Sequence, residues 1–308
     1  MNARSPKAEI VTVDRIWDRA PQNAFTDLIR FEDAWYCVFR EGRSHVSPDG
    51  CLRVITSPDG QSWSSAAFIS HPDGDLRDAK ITATPDGRLM LSGAVALRQP
   101  APVRHRSLAW FSENGRAWSP PTQVGDDDMW VWRITWHEDV AYGVGYATGE
   151  DAERFVRLYR SEDGQHFNTL VDNLFDQGYP NETSLLFLPD ETCLCLLRRD
   201  PDTAQLGKAA PPYTDWSWQD LGLRLGGPHM TRLPDGRIVA AGRLYGDETR
   251  TALLQLDLQE GTLTPLLILP SGGDTSYPGL IYYKGRLWIS YYSSHESKTA
   301  IYLAQVRV

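Results

Sequence analysis

The sequence predicts an all-β protein, a six-bladed β-propeller built from four-stranded antiparallel blades, on two observations. An apolar hairpin recurs, its first strands beginning near residues 26, 78, 131, 182, 228 and 277. That spacing of about fifty falls in the range of propeller blades. A second motif, Ser-x-Asp/Asn-Gly-x-x-aromatic, follows the first three hairpins in constant phase. The composition agrees, because 11 Trp, 13 Tyr, 25 Gly and 20 Pro in 308 residues suit many short strands joined by tight turns.

Taken in order, the hairpins pair 26–31 with 35–40, 78–83 with 89–94, and 131–136 with 140–146. The fourth pairs the run from Glu182 to Leu188 with the run from Cys193 to Arg199 across Pro189-Asp190. The fifth joins 228–233 to 238–243 through Pro234-Asp235-Gly236-Arg237, and the sixth joins 277–283 to 286–292. Such runs, bounded by Pro-Asp and Asp-Gly turns, are hairpin signals. The phased motifs are Ser57-Pro58-Asp59-Gly60-Gln61-Ser62-Trp63, Ser112-Glu113-Asn114-Gly115-Arg116-Ala117-Trp118 and Ser161-Glu162-Asp163-Gly164-Gln165-His166-Phe167. In each, glycine supplies the positive φ of a tight turn and the serine and acid side chains bond the turn's backbone. They join third to fourth strands, at the end opposite the hairpin ends where chemistry would converge.

Only one strand, 299–306, follows the last hairpin, so 9–13 near the N-terminus is expected to supply the missing outer strand and close the ring. With no linker or composition shift, residues 1–308 read as one domain. A net charge of −9 argues against a nucleic-acid or anionic-membrane partner. No apolar run reaches the roughly 18 residues of a membrane span, and the start lacks a signal-peptide core, so the default expectation is cytoplasmic. Cys37, Cys51, Cys193 and Cys195 lie inside strands without metal-ligand spacing, which reads as buried thiols. No cofactor or metal is implied, and the oligomeric state is not legible. Trp63, Trp118 and Trp288 read as blade packing.

An antiparallel hairpin brings its two outer ends together, so Glu182 and Arg198, sixteen positions apart, should be neighbours. The corresponding ends elsewhere carry Arg40, Arg243 and Tyr292 on second strands, and Asp78, His229 and Tyr277 on first strands. The loop after Arg40 adds His45 and Asp49, and Asp27, His295 and Glu296 fall on the same face. Clustered arginines suit a carboxylate ligand, since guanidinium offers a planar, permanently charged fork. A tyrosine needs a neighbouring carboxylate to become a nucleophile.

These residues, in chain order, resemble the sialidase (neuraminidase) superfamily, whose Asp-boxes the three phased turns also resemble at one residue shorter spacing. The matching series is Phe39-Arg40, Asp49, Glu182, Arg198, Arg243 and Tyr277, over nearly the whole chain. The resemblance implies an exo-acting retaining glycoside hydrolase that releases a terminal acidic sugar, sialic acid or a relative. It assigns Tyr277 as nucleophile, Glu182 as its base, Asp49 as acid and base, and Arg40, Arg198 and Arg243 to the sugar carboxylate. The departures are Phe39-Arg40-Glu41-Gly42, which sets a negative charge beside the first arginine, and the short loop around Asp49. Asp78 and His45 are rival acids, and His229 could shape the pocket. Two alternatives keep the same face: a uronic-acid-specific glycosidase or lyase, and a non-catalytic propeller that binds acidic glycans.

Overall fold

The computed structural model describes residues 8–149 and 152–308. Residues 1–7, part of the stretch expected to lack a signal-peptide core, lie outside the described residues. Among the described residues, twenty-four strands form six four-stranded antiparallel sheets in ring order. The inner strands of blades 1 to 6 are Gln22–Phe31, Gly74–Ala83, Met129–His137, Pro180–Phe187, Leu225–Arg232 and Thr275–Tyr283. Blade 6 is completed by Glu9–Trp17, which pairs antiparallel with the last strand, Ala300–Arg307. No helix among the described residues is long and apolar enough to cross a membrane.

The blades are held by apolar seams between neighbouring sheets. Val38, Leu52 and Val54 of blade 1, for example, pack against Leu76, Leu89 and Leu91 of blade 2, all without solvent exposure. Each such side chain contributes roughly 1.5–3 kcal/mol on burial. The phased turns are inter-blade staples. Asp59 Oδ1 accepts from Gln61 N and Ser62 N, and Gly60 N donates to Ser57 Oγ, with equivalent bonds at Asn114 and Asp163. Gly60 lies against Trp288 of blade 6, and Gly115 against Tyr36 of blade 1, where an added Cβ would sit 2.6 Å and 2.2 Å from the rings.

The inner strands begin two to four residues earlier than the hairpin pattern predicts. The cause is common to all six. Each inner strand breaks register with its second strand, between Ala24 and Asp27, Arg77 and Lys80, Val131 and Ile134, Pro180 and Thr183, Gly226 and His229, and Ser276 and Gly279. A bulge interrupts the two-residue alternation and re-aims side chains. The residues inside these six breaks include Phe25, Asp78, Trp132, Glu182, Gly227 and Tyr277. Phe25, Asp78, Gly227 and Tyr277 take positive φ, between 53° and 63°.

Candidate active site

The bulges gather one cluster around the ring axis. Tyr277, only 8% exposed, donates its hydroxyl to Glu182 Oε1 at 2.6 Å. Glu182 Oε2 accepts from Arg198 Nη1 at 2.6 Å and from Gly227 N at 2.8 Å, and the same Arg198 nitrogen reaches the Tyr277 oxygen at 3.1 Å. Arg243 stands over the Tyr277 ring, 5.1 Å from its centroid, and donates to Tyr292 Oη and Thr275 O. Phe25 and Trp132 meet the Tyr277 ring edge-on at 5.2 and 5.5 Å.

Backbone geometry explains why the cluster forms. Ser276 and Tyr277 both lie at positive φ, 103° and 53°, where ordinary side chains are strained. The turn is held from blade 1, where Thr26 Oγ1 donates to Tyr277 O at 2.8 Å. Gly227 cannot carry a side chain: its φ is 57°, and a Cβ would sit 2.9 Å from Tyr277 Cγ. Asn181 Oδ1 accepts from Glu182 N at 2.7 Å, and Asn181 Nδ2 donates to Asp200, which lies 2.8 Å from Arg198 Nε as an ion pair.

Burial, and then the field of Glu182, raises the Tyr277 pKa well above its ordinary value, although Arg198 and Arg243 pull it down. Tyr277 therefore rests as a neutral phenol bonded to a carboxylate. Asp78 is also buried and its carboxyl is shifted upward, chiefly by desolvation, with Arg77 and Lys80 opposing and Glu182 reinforcing. The structure thus combines a hydrogen-bonded phenol and carboxylate with a second carboxyl, shifted upward by burial, in the same electrostatic neighbourhood. Such a set can do nucleophilic and acid–base chemistry.

The remaining residues singled out by sequence fall differently. Arg40 is fully buried and its guanidinium is saturated: Nε donates to Asp75 at 2.8 Å, Nη1 to Ser44 O and Nη2 to Ser47. Gly42 and Gly50 close over it. The expectation that Arg40 clamps a ligand carboxylate is corrected here, because Asp75 already occupies it. Arg198 and Arg243 differ. Their Nη2 and Nη1 atoms, respectively, make no hydrogen bond to the described residues and are not buried.

Asp49 lies on a half-exposed turn, paired with Arg43 at 3.4 Å, and its hydrogen bond with Ser47 lowers its pKa. It makes no hydrogen bond to Glu182 or Tyr277 among the described residues, and neither does Asp78. His45 is half-exposed, with Nδ1 2.9 Å from Asp274 Oδ2 and its ring edge-on to Phe25. His229 packs against the blade 6 inner strand, where Leu280 N donates to its Nδ1 at 3.2 Å; burial, followed by Arg133, holds its pKa well below the usual range, so it is neutral. Beside it Asp27 accepts from Arg133 Nη1 at 2.7 Å and from Ile81 N. All four cysteines are buried and free. Among the described residues no group of three or more His, Cys, Asp or Glu side chains could hold a metal ion.

Sequence reasoning missed Gly227, Phe25, Trp132, Lys80 and Asp75. Of these only Gly226-Gly227-Pro228 carried a visible signal, a glycine pair immediately ahead of an expected strand.

No family model matches the chain, and no curated protein does. Solved structures share its fold. A protein of unknown function from Dyadobacter fermentans matches with a TM-score of 0.83 at 19% identity, over 99% of this chain and 100% of that one. An α-L-arabinofuranosidase from Fusarium graminearum matches with a TM-score of 0.78 at 13% identity, covering 97% and 98% of the two chains. A sialidase from Trypanosoma rangeli matches with a TM-score of 0.73 at 10% identity, over 93% of this chain and 55% of that one, so this chain spans about half the sialidase. The fold is a sialidase-like six-bladed propeller, and glycoside hydrolases are among its structural neighbours.

Proposed function

We propose that the protein is a retaining glycoside hydrolase that takes a terminal acidic sugar into the axial pocket. The observation that carries this reading is the 2.6 Å bond from Tyr277 to Glu182, with Arg198 touching both. Glu182 accepts the phenolic proton as Tyr277 Oη attacks the anomeric carbon. Asp78, in its protonated form, gives its proton to the departing glycosidic oxygen. A glycosyl-tyrosine results. Water then attacks the same carbon, losing a proton to Asp78, while Glu182 returns its proton to the phenolate. Two displacements retain the anomeric configuration.

A neutral phenol suits an acidic substrate, because a carboxylate nucleophile would repel it. The open nitrogens of Arg198 and Arg243 supply the carboxylate site, with two guanidinium groups rather than three. The saturation of Arg40 by Asp75 favours a second reading, a terminal sugar without a carboxylate.

Aryl glycosides of sialic acid, a uronic acid and L-arabinofuranose test both. Release from an acidic substrate that disappears in Tyr277→Phe, with a fluorinated acidic sugar trapped covalently on Tyr277, supports the first reading. Turnover of the neutral substrate alone favours the second. Tight binding of acidic glycans without turnover of any substrate would make the protein a glycan-binding propeller and overturn both.

A further inference from the structure

Among the described residues, Lys80 is a buried cation with no carboxylate at ion-pair distance. It is 3% exposed, and its Nζ donates to the carbonyls of Asp78 and Ala79 at 3.4 and 3.2 Å, both inside the blade 2 bulge. It also stands 4.5 Å over the Trp132 ring, the side chain that meets Tyr277 edge-on. Of the nearby Asp27 carboxylate, Oδ2 accepts from Arg133 and Ile81 N while Oδ1 has no hydrogen-bond partner among the described residues, and Lys80 bonds to neither. A buried ammonium is normally neutralised by a carboxylate at contact distance, since desolvation otherwise outweighs what it gains. Here it is spent instead on the backbone of a left-handed residue: Asp78 has φ 55°.

We propose that Lys80 is a positioning residue for the reaction: it clamps the bulge that aims Asp78 into the pocket and lends Asp78 its charge. This rests on the reading of Asp78 as acid and base. The geometry supports it from each side. Asp78 feels Arg77 and Lys80 from its own strand, Arg40 from blade 1 and Glu182 from blade 4. Lys80 in turn feels Asp27 from blade 1, Arg133 from blade 3, Glu182 from blade 4 and His229 from blade 5. Burial, with Arg133, brings the Lys80 pKa down to about 8, although Asp78 opposes the shift. The ammonium therefore keeps its charge at neutral pH. It favours the ionised form of Asp78, against the desolvation that holds the proton on, and so keeps the carboxyl able to cycle between acid and base.

The test compares Lys80→Met, which keeps the length of the side chain, with Lys80→Arg, which keeps the charge. Aspartate is labelled with ¹³C at the carboxyl, and the Asp78 signal is assigned by its loss in Asp78→Asn. The Asp78 titration midpoint is expected to rise by about one pH unit in Lys80→Met and to stay near the wild-type value in Lys80→Arg. The basic limb of the kcat/KM profile should move with it, while thermal stability does not fall. An unmoved midpoint in a folded Lys80→Met overturns the proposal. So does a Lys80→Arg protein as impaired as Lys80→Met, or a Lys80→Met protein that no longer folds, since each makes Lys80 structural. If wild-type protein turns over no glycoside, the catalytic reading fails, and the Asp78 midpoint still decides whether Lys80 tunes that carboxyl.

Discussion

Tyr277 and Glu182 are 95 positions apart in the chain, yet a 2.6 Å hydrogen bond joins them across the axis of the ring. Arg198 bridges the two, so the phenol, the carboxylate and the guanidinium form a closed triangle. Removing any corner should damage chemistry more than folding. Glu182→Gln is expected to lower kcat by about 10²–10⁴-fold, the usual range for a lost proton acceptor. Tyr277→Phe should leave still less. Initial rates, with circular dichroism to establish an intact fold, check both.

Gly227 should be intolerant of any side chain. An alanine there must adopt φ near 57° and put Cβ against the Tyr277 ring. The conformational term alone is about 1–2 kcal/mol, and displacing Tyr277 adds a kinetic defect. Gly227→Ala should therefore lower both the denaturation midpoint and kcat, whereas Gly285→Ala, with open space at its Cβ, should affect stability alone.

Arg40 and Arg198 should part company. Breaking the buried Arg40–Asp75 pair from one side is expected to cost about 3–5 kcal/mol of stability, read as a shift in urea midpoint for Arg40→Met. Arg198→Lys keeps a charge but loses the fork that spans Glu182 and Tyr277. It should retain most of the stability and lose at least about tenfold in kcat/KM.

The pH dependence of folding has a separable alkaline component. Lys80 binds its proton less tightly in the native state, with a pKa of about 8 against 10.5 when unfolded. Between those values the unfolded chain holds more protons, so this group makes stability rise with pH and destabilises the fold below pH 8. The full span amounts to roughly 3 kcal/mol. The difference in unfolding free energy between wild type and Lys80→Met should change by a large part of that from pH 8 to 10.5. His229 acts at the acid end: its native pKa is depressed, so its contribution to stability is lost as pH falls below 6.5. His229→Gln should flatten that acid limb.

The ring was legible from the chain because its signals are local. Pro-Asp and Asp-Gly turns and the Ser-x-Asp-Gly staples announce themselves within seven residues, and hairpin register then puts Glu182 beside Arg198. The misplaced residues failed for a non-local reason. Nothing near Phe39-Arg40-Glu41 reveals that Asp75, 35 positions on, will occupy that guanidinium. Chain order marks Asp49, whereas nothing local marks Asp78, whose shifted carboxyl comes from burial that only the closed ring creates. The bulges were hidden too, since Phe25 and Tyr277 are not residue types that advertise left-handed backbone, and Asp78 stood inside an expected strand.

The seam of the ring has a consequence for synthesis. Glu9–Trp17 precedes its partner Ala300–Arg307 in the chain, and the five other blades lie between them. Phe25 and Thr26, which hold the Tyr277 turn, lie on one side of that join and Tyr277 on the other. The first-made edge strand must therefore stay unpaired through five finished blades, and the Tyr277 turn is set in place only when the sixth blade forms and the ring closes.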